Sequence, residues 1–301
     1  MKQAIKAFIK RLPFIRDLIQ QVKNQGAFPA GHYYSPIPSK EEVLHYVQTR
    51  GTPKNELPGI NLNEDKQLEL LKEYISFYPD ISFPEEQKST HRYYYNNQWF
   101  SYSDAIFLHC FLRRYTPKRI IEVGCGFSSA LILDTIEKFS FYKPEVTFIE
   151  PYPDRLLSLL REGDIERFRL IEKKVQSVQP DVFRALESGD LLFIDSSHVV
   201  KCGSDLQFLI FEVLPYLKPG VFVHFHDIAY PFEYPSEWLL EGRYWNENYF
   251  LRAFLSYNSE WSIHFFTTYV YFRFGDLIRE KMPLCTKNPG GSLYIQREQR
   301  A

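Results

Sequence analysis

The chain has 301 residues, enough for one large α/β domain with an appendage or for two modest domains. Its 45% apolar and 24% charged residues are those of a soluble globular protein, and 17% aromatic residues predict a core rich in rings. A formal net charge of -1 offers no basic excess to a nucleic acid, four scattered cysteines supply no zinc or disulfide framework, and no apolar run reaches the roughly 20 residues of a membrane span.

The N-terminus shows no apolar stretch followed by a cleavage site, so a cytoplasmic location is expected. Ile5, Phe8, Ile9, Leu12, Ile15, Leu18, Ile19 and Val22 recur at helical spacing between Lys2, Lys6, Lys10, Arg11, Arg16 and Lys23, a basic amphipathic helix that Pro13 interrupts. Such a helix packs on its own domain, mediates self-association, or lies on an anionic membrane surface. A Pro- and Gly-bearing stretch over 28–38 is a loop. Ser39 and Glu42 then have capping-box spacing and open a short helix. Leu68, Leu71, Ile75 and Tyr78 mark a second helix, and the segment from Arg92 to Phe100 leads into a third over about 103–115.

From residue 119 short apolar strands alternate with helices. Strands are predicted at 119–123, 146–150, 168–171, 191–195 and 221–225, with helices reaching Lys138, over 154–160 and over about 204–217. Two further strands, 263–267 and 292–296, follow with no good helix between them and read as a reversed hairpin at the sheet edge. The expected fold is therefore α/β, doubly wound, with a mostly parallel seven-stranded sheet and a reversed C-terminal hairpin. A helical N-terminal extension over 1–100 precedes this Rossmann-like domain over 101–301.

In such a sheet ligands bind beyond the carboxyl ends of the strands, near the point where strand order reverses. The first strand ends in Glu122-Val123-Gly124-Cys125-Gly126-Phe127-Ser128-Ser129, a strand-to-helix turn whose two glycines let backbone approach a ligand. A dinucleotide fingerprint would place a third glycine where Ser129 stands. Glu150 ends the second strand, where a carboxylate can accept hydrogen bonds from both hydroxyls of a ribose. The fourth strand ends in Asp195-Ser196-Ser197-His198 and the fifth in His224-Phe225-His226-Asp227. His224 is expected to face away from His226 and to pack under a helix. Asp195 has the alternative of capping its loop, and His198 that of a structural histidine.

The run Ile121 to Ser129, then Phe148-Ile149-Glu150, then Phe193-Ile194-Asp195, resembles the successive motifs of class I S-adenosylmethionine-dependent methyltransferases. The resemblance covers about residues 101–301. It implies that Gly124 and Gly126 approach the methionine part of the cofactor, with Glu122 and Ser128 of the same motif beside them. It also implies that Glu150 holds the ribose and that Gln176 or Ser177 borders the adenine, although the acid often found there is missing. The strand ends at Asp195 and His226 further resemble the metal-assisted sugar O-methyltransferases of macrolide biosynthesis. That likeness implies a divalent cation on Asp195, His226 and Asp227, and His198 as the base. His226 departs from the family by replacing an acid, and imidazole suits manganese, zinc or iron better than magnesium.

The resulting expectation is methyl transfer to a hydroxyl of a small molecule, sugars included, with no nucleic-acid partner. A nicotinamide-dependent oxidoreductase, a metal-dependent hydroxylase or hydrolase, and a non-catalytic adenosylmethionine-binding module are the alternatives. The mix of Trp, Tyr, Arg and carboxylates over 233–247 suits a lid over a polar substrate, or an ordinary amphipathic helix pair.

Overall fold

Seven short, largely buried strands form one sheet in the computed structural model, which describes residues 26–139 and 141–298. They are β1 Arg119–Val123, β2 Glu145–Ile149, β3 Arg169–Ile171, β4 Leu191–Ile194, β5 Phe222–Phe225, β6 Trp261–Phe266 and β7 Leu293–Arg297. Their order is β3-β2-β1-β4-β5-β7-β6, parallel except for β7, which runs antiparallel to both neighbours. The reason lies in the sequence: β4 and β5 are buried at every position, as near-continuous apolar strands covered on both faces must be. The sheet and its reversed C-terminal strand are thus those the sequence predicts. The predicted helix over 1–24 lies outside the described residues, and no described helix is long and apolar enough to cross a membrane.

The chain divides into two compact units. Of the described residues, the smaller holds 26–52 together with 235–244. In it α1, Lys40–Thr49, opens on the Ser39–Glu42 capping box and meets the short helix Ser236–Leu240, where Arg50 donates to the Ser236 hydroxyl at 2.7 Å. The larger unit holds 53–234 and 245 onward, and with them the whole sheet. Its helices include α2 Glu64–Phe77, α3 Ser103–Tyr115, α4 Phe127–Lys138, α5 Glu247–Leu255 and α6 Thr267–Lys281. Residues 103–112 of α3 are buried throughout, and α3 packs beside α4. Residues 53–100 also fall within this unit, and 235–244 of the segment read as a lid fall in the smaller one.

The helix α6 corrects the sequence reading, which has no good helix between the last two strands. Its run Thr267-Thr268-Tyr269-Val270-Tyr271-Phe272 is β-branched and aromatic, a composition that favours strands. Packing overrides that preference. Tyr269, Val270 and Ile278 are buried, and a non-helical Phe274 breaks the period that would have revealed the stripe.

Arg92 ties the segment before α3 to the sheet domain. Its side chain is fully buried and donates to Asp134 at 2.6 Å, to Glu137 at 2.6 Å and, through Nε, to Asp164 at 2.6 Å. Asp134 also accepts from the backbone N–H groups of Arg92 and Tyr93. Removing the guanidinium strands buried Asp134 without a counter-charge and leaves buried Asp164 with only Arg167, at 3.5 Å. Arg92→Leu should therefore destabilise the fold by about 3–5 kcal/mol, read from urea unfolding. A loss under about 1 kcal/mol would show that the carboxylates rehydrate and that the network is peripheral.

Candidate active site

Register places the site. Val123 of β1 pairs with Ile149 of β2 and with Ile194 of β4, so the residues just past each strand, Gly124, Glu150 and Asp195, stand side by side. Gly124 N–H donates to the Ile149 carbonyl at 3.1 Å, and Asp195 N–H to the Val123 carbonyl at 2.8 Å. Ile194 pairs with Phe225 of β5 and its carbonyl accepts from His226 N–H at 2.9 Å, which extends the row to His226.

Gly124 has φ +83°, and a Cβ there would lie 1.6 Å from the Asp195 carbonyl oxygen. The turn exists in this form only with glycine at that position. A Cβ on Gly126 would press on the Arg155 side chain at 2.9 Å. The Glu150 carboxylate lies against the turn: one oxygen faces Cys125 N–H at 3.4 Å, and the other accepts from Tyr152 N–H at 2.9 Å. Glu122, by contrast, is wholly buried. The Ser128 hydroxyl donates to one of its oxygens, the other has no partner, and burial pushes the carboxyl up to about 8. Gln176, in the turn after β3, donates to the Gly203 carbonyl at 3.0 Å. The structure thus gathers Gly124, Gly126 and Glu150 around one turn, sets Glu122 and Ser128 inside it, and binds Gln176 to the loop that follows β4.

Beyond β4 and β5 the predicted catalytic residues converge. The loop after Asp195 is held by Asp205, which accepts from Ser197 N–H at 2.9 Å and from its hydroxyl at 2.6 Å. His198 follows with φ +60°, and Asp227 has φ +58°. Left-handed backbone at non-glycine residues costs free energy and persists where surroundings over-determine it. His198 Nε2 faces Asp195 at 3.7 Å and Asp227 at 3.5 Å, while Nδ1 donates to Glu247 at 2.8 Å. His226 Nε2 stands 3.5 Å from Asp227. Its Nδ1, without a hydrogen-bond partner, stands 4.0 Å from Asp104. Asp104 itself accepts from Gly291 N–H and the Ser292 hydroxyl at 2.8 and 2.7 Å.

Charge follows from this crowding. Burial pulls the His198 imidazole down, but the bond to Glu247 and the charges of Glu247, Asp195 and Asp227 outweigh it and lift the group to about 9. His226 is likewise pulled down by burial and lifted to about 9 by Asp227, Asp195 and Asp104. Burial pushes the Asp104, Asp195 and Glu247 carboxyls up.

The expectation that His224 faces away from His226 is wrong: residues two apart on a strand share a face. The two rings lie 6.1 Å apart and nearly parallel, and His224 stacks on Phe193 at 3.9 Å. His224 is nonetheless a core residue, fully buried, with both ring nitrogens unpartnered and its basicity suppressed by burial. Two residues of the cluster escape the sequence reading. Asp104 sits in the first turn of α3, where an acid usually serves the helix dipole. Glu247 sits at the end of the segment read as a lid, 49 residues from the histidine it binds.

Asp195, Asp227 and His226 have the donor chemistry of a divalent-ion site, yet among the described residues no three His, Cys, Asp or Glu side chains converge closely enough to hold one. The cluster as it stands is one of imidazoles set among carboxylates.

Residues 121–228 match a family model described as a methyltransferase domain. An uncharacterized protein of Archaeoglobus fulgidus is 40% identical over 167 residues, spanning 53% of this chain and 74% of its own. Among solved structures, a Podospora anserina methyltransferase bound to S-adenosylhomocysteine is 13% identical, with a TM-score of 0.42 over 86% of this chain and 95% of that one. The O-methyltransferase TomG from Streptomyces achromogenes, involved in tomaymycin synthesis and solved with S-adenosylmethionine, is 12% identical, with a TM-score of 0.39 over 86% and 96%. At such scores the likeness carries no inference about chemistry, which has to come from the site.

Proposed function

We propose that this chain, which belongs to the class I S-adenosylmethionine-dependent methyltransferases, methylates a hydroxyl group of a small molecule, sugars included, with His198 as the base. The observation that supports this most is His198 itself: its Nε2 stands at the carboxyl edge of the sheet, facing two carboxylates, with no hydrogen-bond donor among the described residues against it. Bound adenosylmethionine supplies an already activated sulfonium methyl. What the protein must add is alignment and, for an alcohol, removal of the hydroxyl proton. His198 is placed to take that proton, and Asp195 and Asp227 stabilise the imidazolium that results.

The cofactor fits the residues present. The Gly124 turn is tight, with the Asp195 backbone where a Cβ would go, and Glu150 presents a partly exposed carboxylate beside it. Ser129 stands where a dinucleotide fold wants its third glycine; its hydroxyl is turned inward and accepts from Gly126 N–H at 3.0 Å. If Glu150 accepts two ribose hydroxyls, Glu150→Ala removes bonds of about 1.5–3 kcal/mol each. Adenosylhomocysteine affinity should then fall more than tenfold by calorimetry. Unchanged affinity would remove Glu150 from the ribose role.

A metal-assisted reaction is the second reading, favoured by Asp195 and Asp227 both lying within 3.7 Å of one imidazole nitrogen. Asp195, Asp227 and His226 would have to draw closer together to hold such an ion, and its chemistry would be to acidify the acceptor hydroxyl. The deciding experiment incubates the protein with methyl-labelled adenosylmethionine and a small-molecule extract, with and without chelator, and identifies the labelled product. Label on oxygen that survives chelation supports the base alone; loss restored by manganese supports the metal. Label on nitrogen or carbon would sink the hydroxyl assignment, and no label at all would leave a binding module.

A further inference from the structure

We infer that Glu247 is the positioning residue of the proton transfer, holding the His198 ring so that the nitrogen left facing the acceptor is the basic one. The inference rests on the hydroxyl-methylation reading above and extends it to the group that makes His198 a competent base.

Three consecutive residues clamp this histidine. Trp245 lies on its ring at 4.4 Å. The N–H groups of Asn246 and Glu247 both approach its carbonyl oxygen, at 3.2 and 3.3 Å. The Asn246 side chain brackets Val200, accepting from its N–H at 2.7 Å and donating to its carbonyl at 3.1 Å. Glu247 then receives Nδ1 at 2.8 Å. The strained φ of +60° at His198 is thereby fixed from its backbone, its ring face and its ring edge.

The chemistry follows from what a carboxylate can do. An ionised carboxylate only accepts, so Nδ1 must be the donor, and the neutral ring is the tautomer whose lone pair is on Nε2. The groups facing Nε2, Asp195 and Asp227 at 3.7 and 3.5 Å, are carboxylates that only accept, so that lone pair remains available to the acceptor. His198 Nε2 takes the hydroxyl proton; the electrons of the O–H bond go with oxygen to the methyl carbon, and the carbon–sulfur pair stays on sulfur. Glu247 is 1% exposed, and its second oxygen has no partner. A carboxylate buried in this way is costly unless it serves the one imidazole it touches.

A double-mutant cycle tests this, with methyl-tritiated adenosylmethionine and a dilution series of small-molecule extract as the acceptor source. Glu247→Gln keeps size but can donate to Nδ1, which moves the proton to Nε2 and blocks the base. The rate ceiling should fall on the order of 10²-fold or more, with half-saturation by extract and adenosylhomocysteine affinity unchanged. In a His198→Asn background the same substitution should slow the reaction no further, because it acts only through the ring. Multiplicative slowing in that background, or no slowing in the parent, overturns the proposal. Should Glu247→Gln lose its thermal transition, Glu247→Asp replaces it: charge kept, reach shortened, intermediate slowing expected, again absent without His198. If His198→Asn alone leaves the rate intact, the base reading fails and the positioning role with it. If His198 matters and Glu247 does not, only the positioning role fails.

Discussion

Gly124→Ala should abolish measurable adenosylhomocysteine binding and lower the melting temperature by at least roughly 5 °C. The added Cβ would sit 1.6 Å from the Asp195 carbonyl oxygen and 2.7 Å from its carbon, both backbone atoms of the neighbouring strand end. No side chain can swing away to make room. The left-handed φ of +83° alone costs a non-glycine residue about 1–3 kcal/mol. Relief of the clash means parting β1 from β4, which breaks the 2.8 Å bond from Asp195 N–H to the Val123 carbonyl, or tilting the turn, which breaks the bond to Ile149. Either movement shifts Asp195 or Glu150, so the damage reaches the site as well as the fold. At roughly 2–4 °C per kcal/mol for a large domain, the backbone term and the displacement together give the stated shift. Gly163→Ala is the control, with φ +82° and nothing within 4 Å of its Cβ. It should show the backbone cost and keep binding. If the two variants behave alike, close approach at Gly124 is not what requires glycine there.

The strands and the glycine turn were legible because their signals are local. Apolar runs of four or five residues such as Leu191–Ile194 can be satisfied only inside a covered sheet, and Gly124 follows directly on one of them. Helix α6 was illegible for the opposite reason, since its local composition favours strand and only packing against neighbours such as α2 and α3 makes it helical. The site divides in the same way. Asp195, His198, His226 and Asp227 could be found because topology puts strand ends together, whatever the loop lengths between them. Asp104 and Glu247 enter from α3 and α5, and nothing in their own neighbourhoods marks them as partners of an imidazole. Gln176 was given its place by likeness alone, and its amide is engaged with Gly203 in a contact that no motif encodes.

His198→Ala should lower the maximal rate by about 10²–10⁴-fold, the usual worth of a positioned base, while adenosylhomocysteine affinity stays within a factor of about three. The split is expected because His198 stands over the carboxyl end of β4 and β5, whereas the glycine turn and Glu150, proposed above to bind the cofactor, lie after β1 and β2. The pH profile adds a second, independent signature. A base must be unprotonated to act, and burial, which favours that form, is outweighed in the free protein by Glu247, Asp195 and Asp227, which hold the imidazole at about 9. At neutral pH most molecules therefore carry the proton that has to be absent. The sign is fixed: kcat/KM should rise with pH, close to tenfold per unit well below 9, and level off above it. In His198→Ala that limb should vanish, leaving a low, flat rate supported by alignment alone. A rate that is already pH-independent in the parent protein between 7 and 9, or that survives the substitution, would mean that the acceptor arrives nucleophilic and that the histidine does not take its proton.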